Sequence, residues 1–279
     1  MTTAALAHVR SLLFAPGSDS RKLERALSSE ADAIVADLED SVVAPEKGRA
    51  RALLADLFAS PGDGPGRMVR VNGADTEYFD DDVEAVAGMQ LEAIVLPKAT
   101  PESVAALGPD GAPVVAIVET AQGVRLAYET ASSERVVALV LGAADLGAQL
   151  WLEPRDDNQE LLYARSKLVV DSAAAGIRAP FDVVHLNVDD DAGMEAEALL
   201  ARSLGLRGKA CIHPRQVPVA NKVFRPSEAE VGWAREVLAA YDEAARDGRG
   251  ALVVQGALID LALVQRARMI MATTEGAGT

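Results

Sequence analysis

Three charged side chains, Arg70, Glu119 and Asp145, each follow a short aliphatic run of the sequence. Two carboxylates from separate runs suit Mg²⁺, which takes few protein oxygens and keeps its other positions for water or substrate. A bidentate 2-oxo acid could fill two of those positions. An acidic residue at a strand end can equally well cap the next helix. The joint occurrence of the three residues favours a metal site with Glu119 and Asp145 as ligands.

Two further groups of residues are candidates for the same site. Glu39 and Asp40 could hydrogen-bond to metal-bound waters, or they could pair with Lys98 and with arginines around the same rim. The sequence leaves both interpretations open. Gly142 permits close approach of the backbone to a ligand, and the amide groups beside Asp145 could bind a substrate carboxylate. We therefore count Gly142 and Asp145 among the predicted substrate-binding residues.

Eight short aliphatic runs alternate with longer amphipathic segments, and we predict that the runs are β-strands. They are Ser11–Ala15, Ala33–Leu38, Met68–Val71, Ala93–Leu96, Val114–Val118, Val136–Leu141, Val183–Leu186 and Ala210–Ile212. Segments such as Arg21–Ser28 and Pro45–Phe58 have helical spacing, and the alternation indicates parallel strands. Eight such units fit a (β/α)₈ TIM barrel better than a doubly wound sheet. The active site of a barrel lies at the carboxyl ends of its strands, where the charged residues are found.

The remainder of the chain forms a helical extension in this prediction. We assign the catalytic barrel domain to residues 1–225 and a C-terminal extension to residues 226–279. Within the extension, Pro226–Ala245 has the pattern of a long helix, Ala251–Gly256 that of a short strand or arm, and a last helix begins near Leu261. We expect the extension to pack on the barrel or on a neighbouring subunit.

The composition argues against several classes of function. Lys and Arg number 27 against 42 Asp and Glu, a formal net charge of −15, which repels phosphate backbones and acidic membrane surfaces. We expect neither nucleic acid nor a membrane as a partner. One cysteine and three histidines supply neither a disulfide framework nor a zinc cluster. Met1–Arg10 lacks the features of a secretory signal, and no run reaches the roughly 18 apolar residues of a membrane span, so the expected location is the cytoplasm.

Several short motifs carry a resemblance to the citrate lyase β-subunit-like family of the HpcH/HpaI aldolase superfamily. The motifs are Arg10–Gly17, Asp32–Asp40, Val69–Asn72, Leu96–Lys98, Ile117–Thr120, Gly142–Leu146, Gly208–Pro214 and Gly256–Asp260. They occur in order from about Arg10 to Met271, which is nearly the whole chain. The family includes citryl-CoA, malyl-CoA and citramalyl-CoA lyases. The resemblance implies a TIM barrel, Mg²⁺ as cofactor, and a homotrimer or a dimer of trimers.

The resemblance also implies roles for individual residues. Glu119 and Asp145 match the metal ligands, and Arg70 matches the substrate-binding arginine. Asp260 matches an acidic residue that a neighbouring subunit contributes to the active site. Ala144 departs from the pattern, because many relatives carry an acidic residue at this substrate-binding position. For coenzyme A, the basic residues at and after the first strand could meet phosphates; they are Arg10, Arg21, Lys22 and Arg25.

The activity implied is a Mg²⁺-dependent carbon–carbon lyase acting on a 3-hydroxyacyl-CoA such as malyl-CoA, citramalyl-CoA or citryl-CoA. Its products would be acetyl-CoA, or another acyl-CoA, and a 2-oxo acid. Arg70 would stabilise the enolate or hold a carboxylate, and Asp260 would exchange the proton with the acetyl carbon. Glu39 and Asp40 complete the predicted catalytic set. Two alternatives are a metal-dependent pyruvate-type class II aldolase without CoA and a citrate lyase complex subunit acting on an acyl-carrier-protein thioester.

A lysine in a barrel invites a different mechanism, because a desolvated amine can form a Schiff base with a carbonyl substrate without a metal. Carboxylates near Lys98 would hold its amine in the charged form instead. We therefore expect that sodium borohydride, added with an oxo acid, traps no adduct on Lys98. Mass spectrometry of the treated protein is the measurement, and a covalent adduct on this lysine would replace the metal mechanism by an imine one.

Overall fold

The computed structural model describes residues 6–246 and 252–275 of the chain. The chain divides into two compact units, Met1–Phe224 and Arg225–Thr279. Among the described residues, no helix combines the length and the apolar character that a membrane span requires. The first unit contains the predicted site at the strand ends, and the second contains Asp260.

The first unit is built on a sheet of seven parallel strands. They are β1 (Ser11–Pro16), β2 (Ala33–Asp37), β3 (Gly66–Arg70), β4 (Ala93–Leu96), β5 (Val114–Val118), β6 (Val136–Leu141) and β7 (Lys209–Cys211). Their order across the sheet is β6-β5-β4-β3-β2-β1-β7. Strands β2, β4 and β5 are buried along their whole length, as expected for parallel strands that are covered on both faces.

Ten α-helices connect or follow these strands among the described residues of the unit. They are α1 (Ser20–Leu27), α2 (Lys47–Leu57), α3 (Phe79–Val86), α4 (Pro101–Ala106), α5 (Ala121–Arg125), α6 (Ala127–Ala131), α7 (Ala143–Leu150), α8 (Leu162–Ala175), α9 (Asp191–Leu204) and α10 (Val217–Phe224). Side-chain caps begin several of them. Thr100 and Ser103 form a capping box on α4, and Thr120, directly after Glu119, caps α5. The capping residue of α5 is therefore the residue next to the candidate ligand, and the helix begins at Ala121.

The alternation of side chains along the strands separates two hydrophobic layers. In β2, Ala33 and Val35 belong to a cluster on one face of the sheet, and Ile34 and Ala36 belong to a larger cluster on the other. The smaller cluster also includes Met68 of β3 and residues of all the remaining strands of the sheet. The larger one includes residues from the helices that cover the sheet. The core therefore lies on both faces of the strands.

The structure corrects one predicted strand, because Val183–Leu186 does not join the sheet. Isolated bridges form two residues earlier, where Phe181 pairs with Val140 of β6 and Asp182 pairs with Lys209 of β7. Pro180 lacks an amide hydrogen that could extend the pairing backwards, and Leu186 is 72% exposed. The two edge strands of the curled sheet are thus both joined to this two-residue segment, in place of the predicted strand Val183–Leu186.

Asp182 of this short segment belongs to a network of four buried ionic side chains. Asp182 lies 2.7 Å from Nε of Arg165 on α8 and 3.0 Å from Nζ of Lys209. Glu197 on α9 lies 3.0 Å from each of the same two cations. Burial alone would raise the pKa of Asp182, but Lys209 and Arg165 lower it below its ordinary value. The network therefore ties both helices to the part of the sheet where backbone pairing is shortest.

The described residues of the second unit form two helices and a hairpin. The elements are α11 (Glu228–Arg246), β8 (Leu252–Val254), β9 (Ala257–Ile259) and α12 (Leu261–Glu275). The two antiparallel strands are connected by Gln255 and Gly256, which both have positive φ angles, 50° and 80°, as a tight hairpin turn requires. The unit has a small hydrophobic core of its own, composed of Ala234, Val237, Val254, Ile259, Val264 and Ala267.

We predict that Asp182→Ala destabilises the protein strongly. The substitution leaves Arg165 and Lys209 with one carboxylate between them in a buried environment, and loss of one partner from such a network costs about 3–5 kcal/mol. Urea denaturation followed by circular dichroism measures the change in the free energy of unfolding. Glu195→Ala, which removes an exposed pair with Lys222, is the matched control and should have a much smaller effect. Equal effects of the two substitutions would contradict a stabilising role for the network.

Candidate active site

A cavity of about 430 Å³ opens at the carboxyl ends of the strands. Most of the residues singled out in the sequence line it, together with an apolar wall. The lining residues are Phe14, Ala15, Pro16, Asp37, Asp40, Ser41, Arg70, Ile117, Glu119, Val140, Leu141, Gly142, Ala143, Ala144, Asp145, Val184, Ala210 and Ile212. The volume is suited to a small molecule with a few polar groups.

Arg70 is held on one side of this cavity by carboxylates. Its Nε and Nη2 atoms donate to the two carboxylate oxygens of Asp37, at 2.6 and 2.8 Å. Its Nη1 atom lies 2.9 Å from Glu39 and 3.7 Å from the exposed carboxylate of Asp40. Burial alone would lower the pKa of Arg70, but the carboxylates raise it, Asp37 most strongly. The guanidinium therefore stays charged in a fixed orientation.

Asp37 is an important residue that the sequence prediction left out of the site. Its carboxylate also accepts hydrogen bonds from the amides of Glu39, at 2.9 Å, and Ser41, at 3.1 Å. It thus shapes the turn after β2 as well as holding Arg70. The two residues are direct partners in the parallel register of β2 and β3. The signal in the sequence was that each is the last residue but one of a predicted strand, Ala33–Leu38 or Met68–Val71.

Glu119 is buried at the end of β5. The amide of Lys98 donates to its Oε1 atom at 2.8 Å, and its Oε2 atom lies on the side of Gly142, 2.6 Å from the position that a Cβ atom would take there. Burial, together with the charges of Glu39 and Asp145, raises the pKa of Glu119 to about 7, against the hydrogen bond from the amide of Lys98. Bringing a cation to this carboxylate would favour its charged form.

Helix α7 begins directly behind Glu119. Gly142 stands at the N-cap position without a side-chain cap and donates its amide to Val118 at 3.0 Å. Ala144 and Asp145 lie in the first turn, at the exposed mouth of the cavity. Unpaired amides at a helix N-terminus attract anions such as a carboxylate. The first turn of α7 therefore places anion-binding amides and the carboxylate of Asp145 beside Glu119.

We tested whether these residues fit a Mg²⁺ ion. No group of three or more His, Cys, Asp or Glu side chains within residues 6–246 and 252–275 is arranged to hold a metal. Mg²⁺ needs no such group, because one or two carboxylates with water and substrate oxygens satisfy its coordination. Glu119 keeps Oε2 without a backbone donor on the side of α7, and the nearby charge of Asp145 raises its pKa. The donor set of two carboxylates therefore fits the ion.

Lys98 completes the charged groups at this rim. Its Nζ atom lies 3.5 Å from Oε1 of Glu39. Burial alone would lower the pKa of Lys98, but Glu39, Asp145 and Glu119 outweigh this effect and raise it. A charged ammonium is a poor nucleophile, which disfavours a Schiff base.

Two of the predicted residues are not part of this cluster in the first unit. Asp260 lies in the second unit, where its Oδ1 atom accepts a hydrogen bond from the amide of Leu263 at 2.9 Å and caps α12. Arg10 lies at the amino end of β1, opposite the strand ends, and its guanidinium pairs with Asp32 at 2.8 Å. The position of Arg10 is therefore wrong for a phosphate-binding role at this rim.

A larger cavity of about 870 Å³ adjoins the first. The two share Ala143, Ala144 and Val184 in their walls. His185 also lines the larger cavity, and its Nδ1 atom lies 3.1 Å from Glu197, which belongs to the buried ionic network. The open space at the strand ends is therefore wider than the cavity around Glu119 alone.

Comparison with known proteins identifies the family. A family model described as HpcH/HpaI aldolase/citrate lyase matches residues 10–214, a range that contains every charged residue of the cluster above. The chain belongs to this family.

Members of the HpcH/HpaI aldolase/citrate lyase family and similar structures match almost the whole chain. A (3S)-malyl-CoA thioesterase of Cereibacter sphaeroides is 40% identical over 95% of this chain and 94% of its own length. A citrate lyase subunit beta of Leuconostoc mesenteroides subsp. cremoris is 36% identical over 94% and 92%. Protein CitE of Mycobacterium tuberculosis, crystallised with magnesium, acetoacetate and coenzyme A, superposes with a TM-score of 0.80 at 33% identity, covering 96% of this chain and 100% of that one.

We predict that Gly142→Ala impairs the site without unfolding the protein. The added Cβ atom would lie 2.5 Å from Cβ and 2.6 Å from Oε2 of Glu119, so the carboxylate must move. A displacement of this kind costs about a hundredfold in activity when the group is catalytic. Gly147→Ala on the same helix, where a Cβ atom meets nothing within 4 Å, is the control. Steady-state rates and melting temperatures of both variants are the measurement; unchanged activity in Gly142→Ala would contradict the assignment of Glu119.

Proposed function

We propose that the protein is a Mg²⁺-dependent carbon–carbon lyase that cleaves, or forms, a 3-hydroxyacyl-CoA such as malyl-CoA, citramalyl-CoA or citryl-CoA. The products of cleavage are acetyl-CoA, or another acyl-CoA, and a 2-oxo acid. The observation that carries the proposal is the buried carboxylate of Glu119 beside Asp145, facing Arg70 across a cavity of small-molecule size. Membership of the HpcH/HpaI aldolase/citrate lyase family supports it.

The metal is assigned to Glu119 and Asp145. When bound there, Mg²⁺ supplies a Lewis acid that polarises an oxygen of the substrate. The amides at the start of α7, beside Gly142 and Ala144, bind the carboxylate of the oxo acid. Glu39 and Asp40 orient polar groups at the edge of the site, and Glu39 also restrains Arg70 and Lys98.

In cleavage, a base takes the proton of the hydroxyl group, the hydroxyl-bearing carbon becomes the carbonyl carbon of the oxo acid, and the bond between the carbons α and β to the thioester breaks. The acyl-CoA portion is released as an enolate, so negative charge develops on the thioester oxygen. The guanidinium of Arg70 stabilises this charge, and its fixed orientation against Asp37 avoids a reorganisation during the reaction. A proton must then reach the new carbanion carbon. We assign this step to Asp260, on the basis of its family motif, and propose that the second unit of a neighbouring copy in a homotrimer supplies it.

The fold has a corresponding interpretation. We propose that Phe181–Asp182 serves as a very short strand of an eight-stranded barrel, since its backbone bonds to β6 and β7. We also propose that residues 226–279 form an extension that packs on a barrel of the same or a neighbouring copy.

A second activity is favoured by one observation, the 40% identity to a (3S)-malyl-CoA thioesterase. In that reaction, water attacks the thioester carbonyl, the carbon–sulfur bond breaks, and the thiol leaves with a proton. Thioester hydrolysis consumes the same substrate as cleavage but yields a free hydroxy acid and CoA. The products therefore distinguish the two activities.

The test is an incubation of purified protein with malyl-CoA, citramalyl-CoA and citryl-CoA separately, with Mg²⁺ and without any partner protein. We expect acetyl-CoA and an oxo acid by liquid chromatography and mass spectrometry, at a rate that Glu119→Ala or Asp145→Ala reduces by orders of magnitude with an unchanged melting temperature, because each removes a direct metal ligand. Free hydroxy acid and CoA as the only products would assign hydrolysis instead. Full activity of both variants would contradict the metal site.

A further inference from the structure

Lys98 has an unusual backbone conformation for a residue with a side chain. Its φ angle is 48°, in the left-handed region, which is unfavourable for residues other than glycine. Such conformations persist where the surrounding structure requires them, and they are concentrated at functional sites. Glycine would adopt this conformation without strain, so the lysine side chain is expected to have a role in the turn after β4.

The conformation directs the amide and the ammonium of Lys98 towards carboxylates of the site, and the next amide towards the backbone of β5. The amide of Lys98 donates to Glu119 Oε1 at 2.8 Å, and the amide of Ala99 donates to the carbonyl of Ile117 at 2.9 Å. The ammonium lies 3.5 Å from Glu39. Any residue except proline supplies the amide, and glycine would supply it without strain. The positive charge of the side chain is thus what lysine or arginine contributes here and glycine does not.

The charges of the site are unequal. The site has five carboxylates and two cations. The carboxylates are those of Asp37, Glu39, Asp40, Glu119 and Asp145, and the cations are Arg70 and Lys98. Negative charge is therefore in excess, and the excess would be larger without the ammonium of Lys98.

The neighbouring basic groups cannot take the place of Lys98. Arg70 is committed to Asp37 and Glu39. Lys47, the next basic group, donates to the carbonyls of Leu38 and Glu39 and to Asn72. Burial lowers its pKa, and Asp82 opposes this effect more strongly than the other carboxylates do. The amide of Lys98 contacts Glu119 at 2.8 Å, and Asp145 and Glu119 both raise the pKa of its ammonium against the effect of burial.

We propose that the ammonium of Lys98 sets the affinity of the Glu119–Asp145 site for its divalent cation, by repelling the ion until an anionic substrate binds with it. The inference rests on the proposed Mg²⁺ site. An oxo acid adds negative charge beside the metal, so the ion and the oxo acid bind more tightly together than separately. Lys98 thereby weakens retention of the metal when no substrate is bound, although it takes no part in bond breaking.

The experiment is a titration of the metal-free protein with MgCl₂ by isothermal calorimetry, in the absence of substrate. A solution at about pH 8.5 limits competition from protons. We expect Lys98→Met and Lys98→Gly to bind Mg²⁺ on the order of three- to tenfold more tightly than the original protein, because a nearby positive charge is removed. Lys98→Gly keeps the backbone conformation and the amide donor, so it remains informative if Lys98→Met folds poorly. Lys98→Arg should restore the original affinity.

Two controls separate the possible results. Lys222→Met removes a positive charge from an exposed pair with Glu195 and should leave the Mg²⁺ affinity unchanged. Glu119→Ala should abolish binding. If the original protein binds no Mg²⁺, or if Glu119→Ala binds it equally well, the proposed metal site is wrong and this inference falls with it. If that site is upheld but both Lys98→Met and Lys98→Gly bind Mg²⁺ equally or more weakly, the role of Lys98 alone is overturned.

Discussion

The bidentate ion pair between Asp37 and Arg70 is the contact on which the candidate site depends. It joins the last residues of two neighbouring parallel strands, so it forms as a direct consequence of their register. The same carboxylate of Asp37 fixes the following turn through two backbone amides. That turn brings Glu39 to the guanidinium and to the ammonium of Lys98. One buried carboxylate thus determines where two cations and a second carboxylate lie.

The other half of the site depends on a close approach between two strand ends. Glu119 projects from the end of β5 into space that exists because position 142 has no side chain. The amide of Lys98 fixes one carboxylate oxygen, and the other lies towards the first turn of α7. Burial of a carboxylate in this position is unfavourable for its charged form, which explains a pKa of about 7. A bound cation would stabilise the charged carboxylate, so the geometry favours cation binding.

Much of this arrangement follows from the sequence, and the exceptions have physical reasons. Arg70, Glu119 and Asp145 line one cavity in the structure, and the sequence points to this arrangement because aliphatic runs reveal where parallel strands end. The pairing at Phe181–Asp182 was missed because Val183–Leu186 is the more aliphatic segment, whereas buried ionic contacts and Pro180 decide where pairing occurs. The left-handed turn at Lys98 has no signal in residue type. Asp37 required the register of β2 against β3, which is a tertiary property.

The two ionic networks of the first unit differ in a way that separates structure from function. At Asp182, two carboxylates meet the two cations Arg165 and Lys209 with short contacts throughout, so the charges balance and leave little attraction for a further ion. At the strand ends, carboxylates outnumber the cations Arg70 and Lys98. A protein that left such an excess uncompensated would lose stability through repulsion and desolvation. The excess negative charge is tolerable when a cation binds there reversibly and neutralises it. Because the carboxylates lie at the mouth of a cavity, such a cation can exchange with solvent. The imbalance of charge, more than the number of acidic residues, therefore distinguishes the candidate active site from the network that holds the sheet together.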